Sequence, residues 1–166
     1  SALFDFRTVL GNIMFPMDFL TDWSLAEKKE RARYLLDKVN VKDSEDKYPD
    51  ELSGGMQKRV GIARAIALNP EYLFCDEPNS GLDPETSIVI DQLISSLTKE
   101  LGITTIMNTH DMNSILEIGD NIGFLHKGTI LWEGDRHTIL SSDCRQLTDF
   151  LCSNTLARNI IRPQGR

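Results

Sequence analysis

Two adjacent carboxylates, Asp76 and Glu77, directly follow the short apolar run at residues 72–75. A short continuous apolar run predicts a strand buried on both faces. Asp76 has the chemistry to hold a hydrated Mg²⁺, because that ion keeps its waters and takes few protein carboxylates. Glu77 is then placed to polarise an attacking water. Because two surface acids after a strand are also common, the pair indicates hydrolysis only together with further motifs.

A second group of residues has the chemistry to bind an anion. Ser53, Gly54 and Gly55 precede a helical pattern, and the free N–H groups and dipole of a helix N-terminus favour a phosphate. The glycines allow the backbone to approach an anion closely, and Ser53 adds a hydroxyl donor. A bare Ser-Gly-Gly is usually an ordinary helix cap. Gln57 and Arg59, which follow shortly after, favour a phosphate-binding motif over an ordinary cap.

Two further features lie downstream of the acids. Residues 80–83 read Ser-Gly-Leu-Asp, and by themselves they predict a turn in which Asp83 caps a helix that begins with Pro84. His110 directly follows a predicted strand. A lone histidine in that place is usually structural, whereas in an ATPase site it could donate to the γ-phosphate or fix the attacking water.

The fixed order of these four motifs closely resembles the ABC ATPase family, and the resemblance covers essentially the whole chain. It identifies residues 52–57 as the signature motif and residues 73–77 as Walker B with its catalytic glutamate. Residues 80–83 correspond to the D-loop, and His110 corresponds to the switch histidine. The predicted fold is α/β: the C-terminal part of an ABC-type P-loop ATPase core with an α-helical signature subdomain.

The resemblance also implies ATP and Mg²⁺ as cofactors and assigns a role to each site residue. The predicted roles are catalysis for Glu77 and His110, metal binding for Asp76, and nucleotide binding for Ser53, Gly54, Gly55, Gln57 and Asp83. In this family two subunits pair head to tail, so that the signature of one covers the γ-phosphate bound by the other. In the family the helical lobe docks a membrane permease. The resemblance therefore assigns the permease contact to residues 1–50 and implies a cytoplasmic subunit that is peripheral on the inner face of the membrane.

Finer details resemble the ATPases of lipid-asymmetry importers, which serve permeases for phospholipid or related hydrophobic substrates. These details are Leu-Ser-Gly-Gly-Met, Ala-Leu-Phe-Asp at residues 2–5, and His-Lys-Gly at 126–128 followed by Trp-Glu-Gly at 132–134. Two positions depart from the common family pattern: Met56 replaces a glutamine and Asn79 replaces a threonine. Neither change removes a group that must touch phosphate.

One family motif has no match in the 166 residues. A P-loop reads G-x-x-x-x-G-K-[ST]. Residues 123–128 have its glycine spacing, but Thr129 and Ile130 stand where lysine and serine or threonine are required. In the family that loop precedes the helical lobe. We therefore expect a fragment that has no ATPase activity by itself, binds nucleotide weakly, and self-associates through exposed strand edges.

Periodicity predicts a helical part at residues 1–69, the C-terminal half of an α/β core at 70–140, and a helical tail at 141–166. Helices are expected after Ser24, after residues 53–55, between Asp83 and Gly102, and after Asp111, whereas Pro16 is expected to end an earlier apolar stretch. Alternating strands and helices after residue 70 predict a mainly parallel sheet. A hairpin turn is predicted near residues 127–129.

Composition excludes some other classes. The net charge is −7, which argues against a nucleic-acid partner. The three cysteines show no metal-ligand spacing, so a reduced, cytoplasmic compartment is the simplest interpretation. No apolar run approaches the roughly 18 residues of a membrane span.

Two alternatives remain open on the sequence. One is a non-transport ABC ATPase of translation or DNA repair, although the paired cassettes or long coiled coil typical of such proteins are not evident here. The other is a naturally short, non-catalytic interaction protein. Co-purification with a permease, rather than with ribosomes or DNA, would discriminate the first alternative from a transporter subunit.

Overall fold

The computed structural model describes residues 3–152, which form two compact units divided between Asn108 and Thr109. The first unit contains α1 (Val9–Leu20), α2 (Leu25–Lys38), α3 (Gly54–Ala65), β1 (Tyr72–Asp76), α4 (Pro84–Leu101) and β2 (Thr104–Asn108). The second contains α5 (Met112–Ile118), β3 (Ile122–His126), β4 (Thr129–Gly134) and α6 (Arg145–Leu151). Short 3₁₀ turns lie at Pro49–Glu51 and Ile139–Ser141.

The first three helices pack around one apolar core. Ser24 and Glu27 form the predicted capping box at the start of α2, which satisfies backbone donors that have no partner inside the helix. The expectation that Pro16 ends the first helical stretch is wrong, because α1 continues through it to Leu20. The buried faces of the three helices share one core cluster, which includes Ile13, Met17, Leu35, Leu36, Val60 and Ala63.

Two arginines connect α2 and α3 through backbone carbonyls at the helix ends. Arg31 in α2 donates from Nε to the carbonyl of Ala67 at 3.1 Å. Arg59 in α3 donates from Nη1 to the carbonyl of Asn40 at 2.8 Å. Carbonyls at a helix C-terminus have no partner within the helix. These bonds therefore stabilise both helix ends and fix the direction of α3, which begins at the Ser-Gly-Gly motif.

A parallel pair of strands follows α3. β1 and β2 pair in register from Tyr72 opposite Thr104 to Asp76 opposite Asn108, and α4 makes the crossover between them. Asp83 caps the start of α4, as predicted, and Gly102 ends it with a left-handed φ of 63°, a conformation that glycine adopts without steric cost.

One face of this two-stranded sheet is bare. Leu73 is buried and Cys75 packs against the same core, whereas Tyr72, Phe74 and Ile106 are 57%, 71% and 51% exposed. The prediction that β1 is buried on both faces is therefore wrong. The alternation follows from the period of two in a strand: one set of side chains meets the helical core, and no described element of the first unit covers the other set.

The second unit is built on a β-hairpin. β3 and β4 pair antiparallel and turn at Lys127 and Gly128, which have φ values of 48° and 82°. The predicted hairpin is confirmed. The expectation of a mainly parallel sheet is wrong for the described residues, since only β1 with β2 is parallel there. A small core of Met112, Ile139, Leu147 and Leu151 holds this unit together.

The predicted three-part division at residues 69 and 140 remains a prediction. Every secondary-structure element described before residue 69 is a helix or a 3₁₀ turn, and the first strand begins at Tyr72. The predicted frayed tail at 162–166 lies outside the described residues. In the part of the chain that the structure describes, no helix is both long enough and apolar enough to cross a membrane.

Candidate functional site

The paired carboxylates stand at the carboxyl end of β1. Asp76 is the last residue of the strand and is exposed. Its Oδ1 accepts a hydrogen bond from Nδ2 of Asn108, the residue opposite it on β2, at 2.8 Å. Among the described residues no group of three or more histidine, cysteine or acidic side chains could hold a metal ion. One exposed carboxylate fits a hydrated Mg²⁺, which binds through one or two carboxylates plus substrate phosphates.

Glu77 has a constrained backbone. Its φ is 46°, a region that residues other than glycine seldom occupy. Its N–H donates to the carbonyl of Asn108 at 2.9 Å, and its own carbonyl accepts from the N–H of Ser80 at 3.1 Å. The same carbonyl accepts from Nζ of Lys58 in α3 at 3.2 Å. Contacts from a strand, a turn and a helix thus stabilise the conformation that sets the direction of the Glu77 side chain.

The Ser-Gly-Gly motif forms the start of α3. Ser53 is the N-cap, and its hydroxyl accepts from the N–H of Met56 at 3.3 Å. Ser53 and Gly54 are exposed while Gly55 is buried. The first N–H groups of a helix lack partners within the helix, so this end of α3 has the donors and the dipole of an anion-binding site.

The two glycines also bring α3 against the start of α4. A Cβ on Gly55 would lie 2.6 Å from Cγ2 of Thr86, whereas a Cβ on Gly54 would meet Cδ2 of Leu82 at an ordinary 3.4 Å. The close approach at Gly55 therefore depends on its lack of a side chain. In the first unit the structure thus brings together the Ser-Gly-Gly motif, the turn before α4 and, through Lys58, the backbone of Glu77.

Two predicted nucleotide-binding residues make contacts within their own chain. Gln57 donates from Nε2 to the carbonyl of Pro49 at 2.8 Å. Asp83 accepts from the hydroxyl and the N–H of Thr86 at 2.6 and 2.9 Å. The hydrogen bond from the Thr86 hydroxyl, with that from its N–H, holds the pKa of Asp83 below its ordinary value. Their contacts with nucleotide remain predictions.

His110, the second predicted catalytic residue, belongs to the other unit. It is exposed and lies between β2 and α5. It precedes Asp111, the N-cap of α5, whose side chain accepts from the N–H of Asn113 at 2.9 Å. His110 is thus described with the second unit, and its catalytic role remains a prediction.

Sequence reasoning missed three residues that support this site. Asn108 could have been found from the register, because parallel strands end at the same edge of a sheet and Asn108 ends β2. Nothing in the sequence indicated a role for Lys58, because its contact with Glu77 depends on how α3 packs. Asp91 reads as a polar residue of α4, yet it is buried and accepts from Nδ2 of Asn79 at 2.8 Å.

Comparison with known proteins shows what this arrangement resembles. The ABC transporter family matches residues 1–80. The methionine import ATP-binding protein MetN of Carboxydothermus hydrogenoformans is 44% identical over 132 residues, covering 80% of this chain and 39% of that protein. MetN of Corynebacterium efficiens is 40% identical over 140 residues, covering 84% of this chain and 39% of that protein. The chain thus spans about two fifths of the length of these relatives.

A solved structure is also similar to this chain. The dimeric post-hydrolysis state of the ATP-binding cassette MJ0796, bound to ADP and Pi, matches with a TM-score of 0.71 and 33% identity. The match covers 81% of this chain and 59% of that one. The chain is therefore similar to ABC-type ATP-binding proteins over the part of those proteins that it spans. Its fold is the mixed α/β fold of an ABC ATPase over part of that domain, as the sequence predicts.

The comparisons do not support the finer prediction of a lipid importer. The relatives described above carry the name of methionine import proteins. Among the residues behind the lipid prediction, Met56 lies on α3 and the segments at 126–128 and 132–134 lie in the β3–β4 hairpin, whereas the segment at 2–5 lies partly outside the described residues.

The close approach at Gly55 gives a prediction about stability. We expect Gly55→Ala to lower the free energy of unfolding by about 1–3 kcal/mol, because Thr86 is held by its bonds to Asp83 and must shift. Gly54→Ala is the matched control and should be neutral or slightly stabilising. Thr86→Ser keeps the hydroxyl and removes the clashing methyl, so it should rescue Gly55→Ala. Urea unfolding gives the free energy of unfolding of the wild type, of the two glycine variants and of Gly55→Ala combined with Thr86→Ser. Equal losses of stability in Gly55→Ala and Gly54→Ala would contradict the close packing at Gly55.

Cys75, next to Asp76, gives a prediction about pH. Burial raises the pKa of its thiol from 9.0 to about 11. The unfolded chain therefore loses this proton at lower pH than the folded chain. The stability due to Cys75 is fully present below about pH 9 and is lost as the pH rises through about 11.

The difference in free energy of unfolding between the wild type and Cys75→Ala should therefore shrink as the pH rises from 8 to 10.5. The matched control is Cys144→Ala, which removes a cysteine from the other unit. A difference that stays constant over this range would show that Cys75 is not shielded from water.

Proposed function

We propose that this chain supplies the hydrolytic carboxylates and the signature helix of the ATP-binding subunit of an ABC importer. The observation that carries the proposal is the joint placement of Asp76 and Glu77 at the end of β1, with Lys58 connecting Glu77 to the Ser-Gly-Gly helix. The names of the similar proteins favour transport over the non-transport alternative. Because the chain spans 39% of those proteins, the activity belongs to the whole subunit.

In the proposed reaction Asp76 would hold Mg²⁺ through its exposed carboxylate. The ion would neutralise charge on the phosphates of ATP. Glu77 orients the attacking water and accepts its proton, and the backbone bonds of Glu77 keep that carboxylate in one place. His110 would donate a hydrogen bond to the γ-phosphate.

The Ser-Gly-Gly end of α3 would contact a different ATP molecule from the one whose hydrolysis Glu77 assists. In a head-to-tail pair of subunits, Ser53, Gly54 and Gly55 would cover the γ-phosphate bound by the partner. Gln57 and Asp83 would complete that contact. Because the 166 residues contain no G-x-x-x-x-G-K-[ST] sequence, the phosphate cradle is supplied outside them, and these residues alone do not turn over ATP.

An exposed apolar patch favours the helical part as the permease contact. Phe6, Phe19 and Leu20 are 76%, 70% and 72% exposed, and Leu25 is also exposed. They lie at or near α1 within residues 1–50, the part that the family resemblance assigns to the permease. Exposed apolar patches commonly mark protein interfaces. The subunit would then be cytoplasmic and peripheral on the inner face of the membrane.

The transported substrate is proposed from the relatives. Methionine is the first candidate, since two relatives at 44% and 40% identity are named for its import. The lipid substrate of the sequence prediction has no such support and serves as the alternative in the test. A transport assay with both substrates decides between them.

The decisive variant is Glu77→Gln in the full-length subunit, reconstituted with its permease in liposomes. Removing the carboxylate should lower ATP turnover at least a hundredfold and stop methionine uptake, while ATP binding is retained. Glu71→Gln is the matched control, because Glu71 is an exposed acid just before the same strand. Unchanged turnover in Glu77→Gln would contradict the assigned role, and lipid transfer without methionine uptake would favour the alternative substrate.

The bare face of β1 and β2 supports the predicted self-association of the 166-residue chain. Tyr72, Phe74 and Ile106 offer an apolar surface next to a strand edge. We expect a dimer or larger species by light scattering at micromolar concentration, and Phe74→Thr should shift it towards monomer. Phe19→Thr, on α1, is the control and should not. A monomeric mass for the wild type would overturn this expectation.

A further inference from the structure

Asp91 is a buried acid that the proposed reaction does not use. It lies in the middle of α4 between Ile90 and Leu93, on the side of the helix that faces the core, and is 2% exposed. Burying a carboxylate costs free energy unless it is hydrogen-bonded. Its place on a helix face that is apolar apart from Ser87 therefore calls for a specific partner.

That partner comes from the segment just after the catalytic pair. Asn79 is 8% exposed and donates from Nδ2 to Oδ1 of Asp91 at 2.8 Å. It occupies the position where the family usually has threonine, whose side chain is shorter. An asparagine amide at this position thus connects the segment after Glu77 to the centre of α4.

The connected segment consists of two successive turns. The N–H of Ser80 donates to the carbonyl of Glu77 at 3.1 Å, and the N–H of Leu82 donates to the carbonyl of Asn79 at 3.1 Å. Glu77 and Gly81 have left-handed φ values of 46° and 80°. Left-handed residues other than glycine persist only where the surroundings hold them.

We infer that Asp91 is a positioning residue, which through Asn79 holds residues 77–82 in these two turns. One end of that segment carries the Glu77 carboxylate, whereas the other leads to Asp83, which is held by its own bonds with Thr86. This inference rests on the proposed ATPase function. Because the bond holds a carboxylate in place and touches no nucleotide, its loss should lower kcat for ATP and leave KM nearly unchanged.

A charge-swap cycle in the full-length subunit tests the inference. Asn79→Asp places two acids face to face and should lower kcat at least tenfold, with KM for ATP within twofold of the wild type. Adding Asp91→Asn restores one amide and one carboxylate in the reverse order, so the double variant should return to within threefold. Asn113→Asp, at an exposed asparagine of α5, is the matched control and should have no effect.

Hydrogen exchange at residues 77–82 is the second measurement in the same cycle. Exchange should quicken in Asn79→Asp and recover in the double variant. A wild-type kcat in Asn79→Asp, or a double variant as slow as the single one, overturns the inference. If the wild type and Glu77→Gln hydrolyse ATP equally, or not at all, the proposed function has failed. In that case hydrogen exchange alone tests whether Asp91 holds residues 77–82. Exchange that is the same in Asn79→Asp as in the wild type would overturn this role of Asp91 as well.

Discussion

The parallel pairing of β1 with β2 is the constraint on which the site depends. The pairing does not stop at the strand ends: the N–H of Glu77 continues the ladder to the carbonyl of Asn108, and the side chain of Asn108 reaches Asp76. A shift of one residue in this register would turn each side chain of β1 to the opposite face of the sheet. Asp76 would then lose Asn108, and Glu77 would lose the partner that stabilises its unusual backbone.

The motifs of this site stabilise the fold with the same residues to which we assign the proposed chemistry. Ser53 caps α3 and Asp83 caps α4, while the missing Cβ of Gly55 lets the two helix starts approach each other. A change in any of these residues therefore alters the local structure as well as a proposed contact with nucleotide. Loss of activity in such variants has to be separated from loss of stability before a chemical role is assigned.

Local signals in the sequence predicted much of the first unit. The caps at Ser24 and Asp83 and the stop at Gly102 were predictable because each depends on residues within one helical turn of it. Periodicity could not show that Phe74 is exposed, since burial of a strand face depends on what packs there. The course of α1 through Pro16 likewise depends on its packing against α2 and α3, and the contact of Lys58 with Glu77 depends on the placement of α3.

The central claim is that these residues carry the hydrolytic carboxylates of an ABC ATPase but not the cradle for its nucleotide. The most direct measurement is phosphate release from Mg²⁺·ATP by the purified 166-residue chain, beside its Glu77→Gln variant. The account predicts no release above the buffer background from either protein. Turnover by the wild-type chain that Glu77→Gln abolishes would contradict it, because these residues would then bind and hydrolyse ATP without a phosphate loop.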